Sequence, residues 1–227
     1  MASVSNDGAV LRELAARYAA NAADPVMSHR REQWRALNSL RMERPAVLVG
    51  IGIWNHWCKS YFGDETLRCV DPFLRTHERN LRMALFHQAY HDDLVVEPWY
   101  ALGADVQRGW DAFWGTPMGV QHSGTSGGAW KYDPPISEWK DVAKLSPAPH
   151  VINEDTTRAN HERLQEAFGD LLAIDLMRTP AAAGFVADIS TFIARLRGLE
   201  QLMVDMCDEP EELHTLLAFM RDGILAN

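Results

Sequence analysis

Residues 45–54 read Pro45-Ala46-Val47-Leu48-Val49-Gly50-Ile51-Gly52-Ile53-Trp54, an apolar run with no polar alternation. A half-buried strand alternates, whereas one covered on both faces does not, as in a parallel sheet. This run therefore predicts a buried parallel strand. Two more runs share its character: Leu94-Val-Val-Glu-Pro-Trp-Tyr100 and Leu171-Leu-Ala-Ile-Asp-Leu-Met177. Between the first two, Asp71-Pro72 is an N-cap followed by a proline in the first helical position. It predicts a helix to about Tyr90, with Phe73, Leu74, Leu81, Leu85 and Phe86 inward. Strands alternating with helices imply βαβ units and a mostly parallel α/β sheet.

Upstream, Val10, Leu11, Leu14 and Tyr18 predict a helix over about 7–22, capped by Asn6 or Asp7. Asp24-Pro25 restarts a second helix that carries Trp34 and Leu37 inward. Residues 1–44 thus form two leading helices. The stretch from the second strand to the third is too long for one crossover. It is read as an insertion over about 101–155, rich in Trp (Trp110, Trp114, Trp130, Trp139), with a hairpin over Met118 to Trp130 around Ser123–Gly128. A helix over Thr156–Phe168 follows, stopped by Gly169. At the end of the chain, Leu199, Leu202, Met203 and Met206 share one helical face. Asp208 reads as a new N-cap, and Leu213, Leu216, Leu217, Met220 and Ile224 make a second stripe. That last helix meets no C-cap, so the chain is expected to be an incomplete domain.

The 227 residues carry a formal net charge of -9 and are 47% hydrophobic. An acidic chain with dispersed Arg argues against a nucleic-acid partner, since phosphate binding wants clustered cations. No apolar run approaches the roughly 20 residues a membrane helix needs, and no secretory signal opens the chain. Cys58, Cys69 and Cys207 form no CxxC pair, which fits thiols in a reducing cytoplasm. There is no GxSxG, HExxH or GxGxxG motif.

In α/β folds chemistry gathers beyond the C-terminal strand ends. Three clusters stand there. After the first strand come Asn55, His56, Trp57 and Cys58. His56 is a candidate general acid/base, the alternative being a loop histidine stacked between tryptophans. The second strand carries Glu97 and Trp99. Glu97 is either a catalytic carboxylate or half of a buried ion pair. The third carries Asp175 within it and Arg178 at its exit, where Arg178 suits a substrate carboxylate or phosphate, or pairs with Asp175 or Glu97. The catalytic candidates are His56, Glu97 and Asp175. The substrate-binding candidates are Asn55, Trp57, Trp99 and Arg178. His87 and His91 stand at i, i+4 but lack a third ligand, and no metal site is assigned.

The run Arg197-Gly-Leu-Glu200…Met203-Val-Asp205…Asp208-Glu-Pro210-Glu-Glu-Leu213-His214…Leu217 resembles the segment after the third strand of the uroporphyrinogen decarboxylase superfamily. The Leu94–Gly103 stretch and the helix ending near Asp92-Asp93 fit the same template. The resemblance covers roughly 45–227, and weakly the leading helices. It implies the N-terminal part of a TIM-type (β/α)8 barrel: one incomplete domain over 1–227, with two leading helices and three βα units with the long insertion over 45–227. A closed barrel of this type takes eight strands in about 250 residues.

The superfamily holds cofactor-free tetrapyrrole decarboxylases, and zinc-dependent methyltransferases and demethylases that work with corrinoid proteins. The decarboxylase branch carries an RQAGR motif after its first strand. Here Trp54–Lys59 contains no Arg, and one Lys does not replace two planar forks. A Tyr-bearing segment after the third strand is replaced by Ala181–Phe185. The resemblance therefore implies a zinc- and corrinoid-linked methyl-transfer protein acting on a small-molecule substrate, with a corrinoid protein as partner and the zinc ligands outside this chain. The alternatives are a tetrapyrrole decarboxylase, or a non-catalytic half-barrel that oligomerises or pairs with a complementing chain.

Overall fold

The computed structural model describes residues 6–50, 59–106, 114–125, 128–147, 150–179 and 188–226. It is mixed α/β and dominated by helix. In order the elements are α1 (Asn6–Ala22), α2 (Val26–Asn38), a short α3 (Lys59–Phe62), α4 (Pro72–His87), β1 (Trp99–Gly103), β2 (Gly119–His122), β3 (Trp130–Asp133), α5 (Glu154–Phe168), β4 (Ala173–Met177), α6 (Ile189–Arg197), α7 (Leu199–Asp208) and α8 (Pro210–Leu225). β1 is hydrogen-bonded to β4, and β2 to β3. No closed barrel is present among the described residues. The chain divides into two compact units. Unit 1 comprises Met1–Leu102 and Arg158–Met177; unit 2 comprises Gly103–Thr157 and Arg178–Asn227.

Unit 1 packs α1 against α4 over a core of Val10, Leu11, Leu14, Leu81, Tyr100, Leu102, Leu164, Phe168 and Leu172. The leading stripe is buried as its spacing predicts, except that Tyr18 sits at the core's edge. Asp71 caps α4 by accepting from the Leu74 N–H at 3.0 Å. Of Asn6 and Asp7, the two expected caps of α1, Asp7 lies inside the first turn of the helix. It is buried and accepts the N–H groups of Val70 and Asp71. Glu78 is fully buried and takes the N–H groups of Arg68 and Cys69 while pairing with Arg82 at 2.7 Å. These carboxylates meet orphan backbone donors that burial would otherwise leave unpaired.

Two expected strands differ. Residues 45–50 form no strand, and Val47 and Leu48 are exposed. The remainder of the 45–54 run lies outside the described residues. The backbone here is held by two carboxylates and a backbone bond, from the Asp93 N–H to the Val47 carbonyl at 2.8 Å, rather than by a ladder. Asp93 accepts from Val47 N–H at 2.7 Å and Asp92 from Val49 N–H at 2.8 Å. The second strand begins later, at Trp99. Its expected opening is held by α2: Arg30 donates to the Leu94 carbonyl, Arg31 to that of Val96, and Trp34 to that of Asp93. The Val96 N–H meets the Met27 sulfur at 3.3 Å, and a donor so engaged gives nothing to a sheet ladder. On α2 itself the buried positions are Met27 and Arg30, with Trp34 and Leu37 half-buried. The third strand is present but shorter than the expected Leu171–Met177, over Ala173–Met177, and it is exposed along one face rather than buried on both.

Unit 2 joins the β2–β3 hairpin to the helices α6, α7 and α8. The hairpin is antiparallel, with Gly119 opposite Asp133 and His122 opposite Trp130. Its core holds Trp114, Met118, Ile136, Leu145, Phe192, Ile193, Leu196, Leu202, Leu213, Leu216 and Met220. The α8 stripe is buried as its periodicity predicts. The α7 stripe is not: only Leu202 is buried, while Leu199, Met203 and Met206 are exposed. Asp208 is the last residue of α7 rather than the cap of α8. The residue before α8 is Glu209, whose side chain makes no capping bond. Arg197 and Asp205 form a buried pair, 2.7 Å from Nε to Oδ2. Arg197 also donates to the Ile136 and Ser137 carbonyls and lies over the Trp139 ring. The two charges are thus compensated where neither could stand alone.

Candidate functional site

β1 and β4 share one sheet, and their alternation sorts the candidates. Tyr100 and Leu102 of β1, with Ile174 and Leu176 of β4, point into the unit 1 core. Successive side chains point to opposite faces. Trp99, Ala101, Asp175 and Met177 therefore line the other face, where Trp99 and Asp175 are exposed. The structure thus brings Trp99 and Asp175 onto one open sheet face. A flat indole and a solvated carboxylate on one sheet face can take a ring and a hydrogen-bond donor.

Glu97 stands in the segment before β1. Its Oε2 lies 2.9 Å from the Arg31 guanidinium, and both side chains are partly exposed. Glu97 is thus in an ion pair, but a partly exposed one rather than the buried pair of the sequence reading. Arg178 pairs with neither Asp175 nor Glu97. Both of its terminal nitrogens donate to Glu154 at the start of α5, and both partners are exposed. Asn55, His56 and Trp57 lie outside the described residues, as do Trp54, Cys58, Trp110 and Ala181–Phe185.

His87 and His91 do not share a helix face. α4 ends at His87, and His91 follows a 3-10 turn in the left-handed region, at φ 51°. His87 Nε2 lies 2.8 Å from Asp92 Oδ2. Burial pushes the Asp92 carboxyl's pKa up, but the Val49 N–H, His87 and the Leu94 N–H outweigh it and the pKa ends below its usual value. Arg44 and the Val47 N–H hold Asp93 well below the usual carboxylate range. Both carboxylates therefore stay ionised and serve as anchors for the 45–50 segment.

Sequence reasoning missed a second polar pair. His77 Nδ1 lies 2.7 Å from the Tyr100 hydroxyl, and both groups are buried. Burial pushes the His77 pKa down to about 4, and Arg163 adds to the shift. Burial also pushes the Tyr100 hydroxyl up to about 12. The pair is uncharged at neutral pH and satisfies two polar groups within the core. The only sequence signal was a histidine on the inward face of a helix.

No family model, curated protein or solved structure matches the chain.

The described residues do not fit a zinc site. No group of three or more His, Cys, Asp or Glu among them is placed to hold a metal ion. Cys69 is buried, and desolvation with the nearby Glu78 pushes its thiol up to about 12, so the thiolate a zinc ion needs is disfavoured. No helix of the described residues is long and apolar enough to cross a membrane.

Proposed function

We propose that this chain forms part of a barrel of the uroporphyrinogen decarboxylase superfamily, on the branch that transfers methyl groups with a corrinoid partner. The observation that carries the reading is the place of the motif behind the resemblance. Arg197 and Asp205, the polar ends of its first half, are the buried ion pair that ties α6, α7 and the Ile136–Ser137 turn together. Leu213 of its second half is buried in the same core. A motif that organises a core is a better family marker than one scattered over a surface.

In this reading the β1–β4 sheet supplies a wall of the substrate site. Trp99 offers a stacking surface and Asp175 accepts a hydrogen bond from the substrate. Zinc, when bound elsewhere in such a barrel, would activate a thiol or polarise the methyl carrier. The described residues give it no ligands, and no step of this chain runs through it. A tetrapyrrole decarboxylase remains the second member of the superfamily to test, and the Arg-free stretch at Trp54–Lys59 disfavours it.

The test is methyl transfer from methylcobalamin to a thiol acceptor with zinc present, by this chain together with the part of the barrel that carries the zinc ligands, followed by the absorbance change of the corrinoid. Transfer that falls at least about tenfold in Trp99→Ala or Asp175→Asn, with thermal stability unchanged, supports the reading. Conversion of uroporphyrinogen to coproporphyrinogen without methyl transfer replaces it with the decarboxylase. Neither activity overturns the family assignment of function.

A further inference from the structure

Unit 2 contains a groove of about 800 Å³ that uses none of the candidates above. Lys131 and Tyr132 of β3, Ala194 and Arg195 of α6, and Leu199 at the start of α7 line it, together with Pro134. Arg195 decides its chemistry. The guanidinium carbon lies 4.7 Å from the centroid of the Tyr132 ring and 5.8 Å from that of Phe192. Stacking on a ring fixes the plane of the guanidinium and leaves its N–H edge available. The other arginines described in unit 2 use that edge on a carboxylate: Arg178 on Glu154, Arg197 on Asp205 and Arg221 on Asp222. Arg195, half-buried, has no carboxylate within ion-pair distance among the described residues, and neither does Lys131 on the same wall. Glu200 is the acidic member of the lining and pairs with neither. Tyr132, Pro134, Ala194 and Leu199 give the wall its apolar and aromatic surface, while Ser190, Thr191, Gln201 and the Asp205-paired Arg197 are its remaining polar members. Gly198 keeps the groove's corner narrow: a Cβ there would come within 3.1 Å of Pro134.

We propose that this groove binds a small molecule with a carboxylate at one end and a flat apolar body, the carboxylate seated on Arg195 with Lys131 as the second cation. A planar guanidinium edge matches a carboxylate in a bidentate fork, which a spherical ammonium does not. Pro134, Ala194, Leu199 and the exposed part of Tyr132 accept the hydrocarbon. The groove is large enough for a ligand of two or three fused rings. Site and ligand class are independent of the family reading, since neither Trp99 nor Asp175 takes part.

The probe is 2-naphthoate, titrated into the whole chain by calorimetry, with 2-naphthol as the uncharged counterpart. Saturable naphthoate binding is expected, with naphthol much weaker. Arg195→Gln should weaken naphthoate binding about tenfold or more, and Arg195→Lys by less. Lys131→Gln, at an exposed position that cannot disturb the fold, should weaken it a few-fold. No saturable binding, equal binding of naphthol, or an unchanged Kd in both Arg195→Gln and Lys131→Gln overturns the proposal. Displacement of naphthoate by inorganic phosphate at equal concentration overturns the carboxylate assignment. Circular dichroism of each variant separates lost binding from lost fold. Should Arg195→Gln not fold, the Lys131→Gln titration decides.

Discussion

His77 shows how one buried side chain sets a pH dependence. Its pKa is pushed down to about 4 by burial and by Arg163, against 6.5 in an unfolded chain. Between those values the unfolded chain takes up a proton that the folded chain refuses. The stability His77 permits is therefore complete above about pH 6.5 and drains as the pH falls towards 4. The loss reaches roughly 3 kcal/mol at the acid end. Urea midpoints for the native protein and for His77→Gln, taken across that window, should show a steeper acid loss in the native protein. Equal slopes would remove His77 as the cause. Glu78 gives a sharper test at neutral pH. Glu78→Gln keeps the shape but strips the charge that Arg82 and two backbone N–H groups face in the interior. We expect a loss of about 3 kcal/mol in denaturant titration. A change below about 1 kcal/mol would mean that Gln rebuilds the network. By contrast, the partly exposed pair Arg31–Glu97 should matter little to stability: Glu97→Gln is expected to cost about 0.5 kcal/mol.

Elements were legible in the sequence where their signals are local. Asp71 capping α4, the β2–β3 hairpin around Ser123, and the α8 stripe all depend on residues within a few positions of one another. The 45–50 segment was not legible, because its backbone partners are carboxylates at Asp92 and Asp93, far along the chain. An apolar run says that a segment avoids water but does not say what its N–H groups will meet. The Leu94–Glu97 stretch failed for the same reason, claimed by Arg30 and Arg31 of a helix more than sixty residues earlier. The candidate site was half legible. Trp99 and Asp175 were chosen for their strand positions, but the alternation that sets both on the exposed face was not read, because the runs look uniformly apolar; Arg178 was taken by Glu154, a residue the strand-end logic does not consider. Arg195 gave no signal at all, because an unpaired cation looks like any other on a helix. At the α6–α7 junction, Gly198 sits at φ 86° and ψ 138°, a region that side chains avoid. Gly198→Ala should therefore cost about 2 kcal/mol in thermal or chemical unfolding. A neutral outcome would show that the junction relaxes.

Each unit of the whole molecule has its own core. The Leu11–Leu81–Phe168 cluster lies entirely in unit 1 and the Trp114–Leu216–Met220 cluster in unit 2. Leu216 is fully buried, so Leu216→Ala opens a cavity worth about 2–5 kcal/mol. Native-state hydrogen exchange should place that loss on the amides of α6, α7 and α8, and leave α1 and α4 protected. Loss of protection in both sets would mean that the two units unfold as one.

Neither unit is a continuous piece of chain: the boundaries fall at the end of β1, inside α5 and at the end of β4. On the ribosome this sets an order of completion. β1 leaves the exit tunnel long before the β4 strand it pairs with, so the edge that β4 takes must wait unpaired while the hairpin is made. Unit 1 closes when β4 emerges. Unit 2 starts later and closes last, once α8 is out. A pause in translation between β1 and β4 would leave Tyr100 and Leu102 uncovered, and a chaperone that binds short apolar stretches would find them there.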